Sequence, residues 1–203
     1  MGHRYIAVLL LLMAFIVFAV TDSAFTFLED ETAIVTAARA PAEETIGLFL
    51  TGNGQHEHPP LSDLLLHYWL PVANRSALAL RIPSIVFYLG GLFLLGVSVG
   101  VRAELAVVTI GVLWPFGFHF GRLCGWYSLT FFLLAALTVA YERLLAGGRI
   151  GWFVACGVLL SYCNYYGWVV VVCLLADCAR RRHARWRILS VATIGFMTIA
   201  YLP

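Results

Sequence analysis

The sequence predicts an all-α protein: a polytopic bundle of about six or seven transmembrane helices with an amphipathic, helical first extracytoplasmic loop. Three observations predict it. Of the 203 residues, 62% are hydrophobic and only 12% charged, about half the charge of an ordinary globular domain, and the mean hydropathy is +0.89. The apolar residues fall into long blocks of membrane-crossing length. The 13 basic residues, all arginine, stand between those blocks. Such a composition excludes a disordered chain, a nucleic-acid-binding domain and an ordinary soluble enzyme, so nucleic acid is not expected as a partner and membrane lipids are.

Residues 1–203 read as one domain with three parts. The first block, Tyr5 to Val20, follows Met-Gly-His-Arg. A basic start and an apolar core resemble a signal peptide, cleaved after Ala24. Because further membrane-length blocks follow, a retained transmembrane helix over 5–20 is the expectation. Residues 21–80 then turn polar and carry eight of the 11 acids. Asp30 to Ala40 reads as a short helix. Pro41 with Glu43 and Glu44 opens a second, since proline and acids favour a helix's first turn. Thr51-Gly-Asn-Gly-Gln is a turn. A third helix follows Pro59-Pro60, with Leu61, Leu64, Leu65, Tyr68, Trp69 and Val72 spaced to share one face. These amphipathic pieces are expected to lie along the membrane interface.

Residues 82–203 hold the other spans. Ile82 to Val101 is long enough to cross a hydrocarbon core of roughly 30 Å. Gly96 and Gly100 in it form a GxxxG pattern expected to admit a neighbouring helix. Leu105 to Phe120 is interrupted at Trp114-Pro115, and Tyr127 to Leu145 forms the next span. Ile150 to Ala176 is too long for one simple crossing. Its Tyr162-Cys-Asn-Tyr-Tyr-Gly167 stretch reads as a polar turn between two short helices, one long tilted helix being the alternative. Ile188 to Pro203 begins one more. The five cysteines show no CxxC spacing, which favours inert thiols over zinc or disulfides.

Orientation follows from the arginines. With a cytoplasmic amino terminus, nine lie inside, including the Arg180–Arg187 cluster, and four outside (Arg39, Arg75, Arg81 and Arg122). The acidic loop then faces the extracytoplasmic side, and the basic cluster is a topology anchor.

Within that loop, Glu29-Asp30-Glu31 places three carboxylates next to the membrane, where mutual repulsion raises at least one pKa. This suits a general base or a divalent cation, and equally a solvated helix start. His56-Glu57-His58 is a weak metal pattern. Asp63 and His67, four apart, can pair along a helix.

Two of these segments carry a resemblance. Phe27-Leu-Glu-Asp-Glu31 after a first transmembrane helix resembles the acidic motif of the GT-C membrane glycosyltransferases, and His58-Pro-Pro-Leu-Ser-Asp-Leu-Leu-Leu-His-Tyr-Trp69 resembles their His-Pro-Pro-Leu segment. The nearest likeness is to bacterial protein O-mannosyltransferase-like and lipopolysaccharide-core transferases. Leu80-Arg-Ile-Pro-Ser84 is similar to the Leu-Arg-x-Pro-Ser start of their second helix. The resemblance implies an inverting transfer from a polyprenyl-phosphate sugar to a hydroxyl on a lipid, glycan or protein, in the bacterial inner membrane. It makes Asp30 the catalytic carboxylate, Glu31 its motif partner, and His58 with Pro59 a donor or acceptor contact. Relatives place a Glu-x-x-Arg-x-Tyr-like motif at the turn after the third helix. Here Gly121-Arg-Leu-Cys-Gly-Trp-Tyr127 keeps Tyr127 and offers Arg122 as a displaced phosphate partner. Family members are more than twice this long, so the chain reads as an amino-terminal portion of a longer enzyme. No cofactor is required by the motifs; a divalent cation is compatible with them. A non-catalytic or partner-dependent membrane module is the alternative, and a transporter the third reading.

Overall fold

The computed structural model describes residues 2–22, 29–51, 59–73, 76–181 and 186–199. Among them the protein is all-helical. Eleven helices follow in chain order: α1 (Gly2–Asp22), α2 (Glu29–Ala37), α3 (Ala42–Thr51), α4 (Leu61–Ala73), α5 (Ala77–Val99), α6 (Val101–Leu113), α7 (Pro115–Phe120), α8 (Trp126–Leu145), α9 (Ile150–Cys163), α10 (Tyr166–Arg180) and α11 (Trp186–Ile199). Helices α1, α5 and α8 are long and apolar enough to cross a membrane; α6 and α9 are shorter apolar helices.

The surface of α1 states its environment. Leu9, Leu12, Met13, Ile16 and Val20 are all exposed, while Ala7, Ala14 and Phe18 on the opposite face are buried. A continuous apolar stripe of this kind suits hydrocarbon and not water. Because lipid is as apolar as leucine, helices associate there through close packing rather than through hydrophobic burial. Gly91 shows this at the α5–α8 contact: a Cβ there would sit 2.6 Å from the Phe131 ring.

Three clusters fill the interior. Ile85, Tyr88, Leu89 and Leu92 of α5 pack with Ala14 and Phe18 of α1. Leu133, Leu137, Phe153, Leu160, Val171 and Leu189 join α8 to α9, α10 and α11. Val35, Leu66, Ala73, Leu80 and Cys124 hold α2 and α4 on the start of α5 and the α7–α8 turn.

Pro71 in α4, Pro83 in α5 and Pro115 at the start of α7 each lack a ladder amide, and the carbonyls orphaned by the last two are taken by aromatic donors. Pro83 has no N–H for the carbonyl of Ala79, four residues earlier. The Trp69 indole N–H donates to that oxygen at 2.8 Å, fixing α4 to α5. Pro115 likewise leaves the Gly111 carbonyl without its amide, and the Tyr88 hydroxyl donates to it at 2.7 Å.

The bundle has two chemically distinct ends. At the loop end lie α2, α4 and the α7–α8 turn. At the arginine end, Arg4 Nε lies 3.5 Å from Glu104 Oε2. There too Tyr141 donates to Asp177, which also accepts from Arg180 at 2.7 Å and Arg181 at 2.5 Å. Glu104 itself is buried in the first turn of α6, where the helix dipole favours its charge.

Most expected elements are present. The chain breaks at Trp114-Pro115, and the long 150–176 block is two helices meeting at Asn164-Tyr165. Three details differ. Tyr68 and Val72 point outward, because the inward stripe of α4 is Ser62, Leu66 and Ala73. Gly96 admits Glu104, 3.1 Å from where its Cβ would stand, but Gly100 has open space and φ +87°, so it ends α5 instead of packing. Cys124, Cys163 and Cys178 are buried and Cys173 is exposed; all five thiols are free.

Candidate functional site at the loop end

Helix α2 carries the acidic motif in its first turn. Its third residue, Glu31, is 1% exposed, and a carboxylate so placed requires partners. Arg81, 3% exposed, supplies them as a two-pronged fork. Arg81 Nε donates to Glu31 Oε1 at 2.9 Å, and a terminal guanidinium nitrogen donates to Oε2 at 2.5 Å. The backbone N–H of Cys124 donates to Oε1 at 2.9 Å. One carboxylate thus ties together three segments far apart in sequence: the start of α2, the second turn of α5 and the turn between α7 and α8.

The fold around this latch follows from local chemistry. Ser76 caps α5, accepting from the Ala79 amide at 3.3 Å, so Arg81 enters a regular helix and turns inward. Cys124 is held in the latch by its backbone. Burial, with the Glu31 charge adding to it, pushes its thiol up to about 12. The thiol is therefore inert at neutral pH. Behind the latch, a void of about 20 Å³ lies between Ser62, Leu66, Ser84 and Cys124, room for one water molecule.

The other expected residues distribute as follows. Asp30 is in the first turn of α2, beside Glu31; its side chain, like that of Glu29, lies outside the described residues, as do Ala24, His56, Glu57 and His58. Pro59 and Pro60, which follow His58, are buried at the start of α4. His67 Nδ1 is 2.9 Å from the Ala38 carbonyl. A carbonyl can only accept, so Nδ1 carries the proton, and the contact pins α4 to the end of α2. Arg122 lays its guanidinium 4.6 Å above the Phe118 ring, two residues from the latch amide. Tyr127 belongs to an aromatic group with Trp126 and Phe120, at centroid distances of 4.0 and 5.0 Å. Among the described residues no three His, Cys, Asp or Glu side chains gather to hold a metal.

The structure therefore brings the acidic motif and the Arg122 turn to one place through the Cys124 amide on Glu31, with Arg81 pairing the same carboxylate. Sequence reasoning had Arg81 as an outer-side arginine and as part of the Leu80-Arg-Ile-Pro-Ser84 likeness, with no role in the site. The available signal was its position: a cation inside the apolar run from Ala77 to Val99 demands a buried partner.

Among the described residues the fold is all-helical, with three helices long and apolar enough to cross a membrane. No family model, no characterised protein and no solved structure matches this chain.

Proposed function

We propose that the chain is the core of a GT-C-like membrane glycosyltransferase. In this reading a sugar passes from a polyprenyl phosphate to a hydroxyl of a lipid, glycan or protein. The bundle crosses the bacterial inner membrane six or seven times, with the loop end outside and the arginine end in the cytoplasm. Asp30 takes the proton of the attacking hydroxyl, which is a poor nucleophile until that proton leaves. Inversion at the sugar carbon follows, the lipid phosphate departs, and Arg122, two residues from the latch amide, receives its charge.

The observation that carries the reading is the Glu31–Arg81–Cys124 latch. It gives Glu31 a role that needs no direct chemistry: with both oxygens occupied, Glu31 positions its neighbour Asp30 against the turn bearing Arg122. The latch also takes Glu31 out of contention as a free cation ligand.

A second reading is favoured by the size of the void at the latch, about 20 Å³. No donor sugar fits there, which suits a membrane module that is completed by further protein. Membranes carrying the chain, incubated with labelled polyprenyl-phosphate sugar, separate the two. Label transferred above the level of membranes without the chain supports the enzyme. Label that stays on the donor supports the module.

A further inference from the structure

The arginine end of the bundle carries a surface that the latch does not use. From Glu142 to Arg187 the chain holds seven arginines against two acids, Glu142 and Asp177. Four of these arginines are gathered by tertiary contacts. Gly147, at φ +88°, turns the chain sharply after α8, and the Gly148 amide donates back to the Arg143 carbonyl at 2.7 Å. The turn returns Arg149, at the start of α9, to the neighbourhood of Arg143. Tyr141, two residues before Arg143, donates to Asp177 and so holds the last turn of α10 against α8. Arg180 and Arg181 stand one turn beyond Asp177.

Asp177 orients these two arginines without neutralising them. It accepts from Arg180 through Nε at 3.1 Å and a terminal nitrogen at 2.7 Å, and from Arg181 through Nε at 2.5 Å. One negative charge thus holds two positive ones, and both still face outward, Arg180 at 74% and Arg181 at 53% exposure. Arg143 and Arg149 are exposed as well. A topology anchor needs only positive charge; here a glycine turn and a carboxylate hub set four guanidiniums at adjoining helix ends. Their planar forks match the oxygens of a phosphate.

The surface beneath the arginines selects the kind of phosphate. On α10, Val172 and Cys173 are exposed about two turns before Arg180. On α11, Ile188 and Val191 are exposed. Trp186 packs against the α8–α11 core, and the Arg187 guanidinium lies 5.6 Å from its ring; tryptophan marks the level where membrane meets water. A soluble phosphate would engage the cations and leave these apolar faces bare. A phospholipid covers both.

We infer that the ends of α8, α9 and α10, with the start of α11, bind an anionic phospholipid. Its phosphate meets Arg143, Arg149, Arg180 and Arg181, and its acyl chains lie along the exposed faces of α10 and α11. A zwitterionic lipid carries its own ammonium beside the phosphate and gains less from these arginines. The inference is independent of the enzymatic reading.

Cys173 supplies the reporter, because it is exposed on α10 and about 10 Å from Arg180 along the helix. It carries a fluorophore in a chain whose other four cysteines are alanine. The chain in detergent is titrated with phosphatidylglycerol or phosphatidylcholine bearing a quenching group on one acyl chain. Each basic side chain near an anionic lipid is worth about fivefold in affinity. Phosphatidylglycerol is therefore expected to quench at concentrations at least tenfold lower than phosphatidylcholine. Arg143→Gln/Arg149→Gln and Arg180→Gln/Arg181→Gln should each raise the phosphatidylglycerol requirement at least tenfold. Neither should move the phosphatidylcholine curve, which reports an intact fold. Arg39→Gln, a charge removed at the loop end, should change neither curve. Asp177→Asn adds positive charge but loosens the two guanidiniums, so it should weaken quenching by phosphatidylglycerol, where diffuse attraction alone would strengthen it. Equal quenching by the two lipids, an unchanged phosphatidylglycerol curve in either double variant, or equal or stronger quenching in Asp177→Asn would each overturn the inference. So would displacement of phosphatidylglycerol by inorganic phosphate or a lipid-free oligonucleotide at equal charge, which assigns the surface to a soluble anion.

Discussion

Breaking the latch should open the loop end, and Cys124 reports the opening. Arg81→Met leaves the Glu31 carboxylate charged, 1% exposed and without its two guanidinium donors. Removing one partner of a buried ion pair costs roughly 3–5 kcal/mol. At about 1.4 kcal/mol per factor of ten, the open population rises roughly 100- to 3,000-fold. Glu31→Leu should act similarly, because it strands the Arg81 charge. The double variant Glu31→Leu/Arg81→Met removes both charges and unpairs the Cys124 amide, a cost of about 1–3 kcal/mol. The double variant should therefore be less open than either single one. The assay is the rate of maleimide addition to Cys124 in a background where Cys156, Cys163, Cys173 and Cys178 are alanine.

The pH profile adds a second readout. In the closed state the thiol is pushed up to about 12. The thiolate fraction then grows tenfold per pH unit, and addition to the intact protein keeps accelerating from pH 7 to 10. In the opened variants the thiol returns to its ordinary value near 8.5, and the rate levels off near pH 9. An Arg81→Met rate equal to that of the intact protein, or a double variant more open than both singles, refutes the reasoning.

Two further outcomes are expected. Trp69→Phe strands the Ala79 carbonyl and should lower the stability of the α4–α5 pair by about 1–3 kcal/mol; adding Pro83→Ala restores an amide to the ladder and should recover most of the loss, read as thermal melting in detergent. For the proposed orientation, a single cysteine at position 55 of a Cys-free chain should react with an impermeant reagent in intact cells while one at position 184 does not; the reverse pattern inverts the topology and moves the acidic motif to the cytoplasm.

Local signals carried much of this fold. The break at Trp114-Pro115 and the turn at Asn164-Tyr165 follow from proline's missing amide and from polar residues inside an apolar run, both visible in sequence. The starts of α3 and α4 were marked by Pro41 and Pro59-Pro60. What was hidden depends on tertiary partners. Gly100 and Gly96 look alike in sequence, yet one ends a helix with φ +87° and the other makes room for Glu104. The single apolar face read for α4 is split: Tyr68 and Val72 are exposed, while leucines on two adjacent faces serve two different clusters, Leu65 meeting the α8–α11 core and Leu66 the α2–α5 core. Arg81 and Glu31 are 50 residues apart, and no periodicity links them. Their pairing becomes legible only when each is asked where a buried charge finds its partner.

The central claim, that Asp30 is the base of a sugar transfer, is tested most directly by Asp30→Asn in membranes where the chain transfers labelled sugar from polyprenyl phosphate. Asparagine keeps the shape of the side chain and cannot accept the proton, so at equal expression the account predicts a loss of roughly 10²–10⁴ in rate. Glu29→Gln, outside the Asp-Glu pair, should change the rate only slightly. Transfer by Asp30→Asn at the rate of the unmodified chain would contradict the account, leaving Asp30 a solvated helix start held in place by the Glu31 latch.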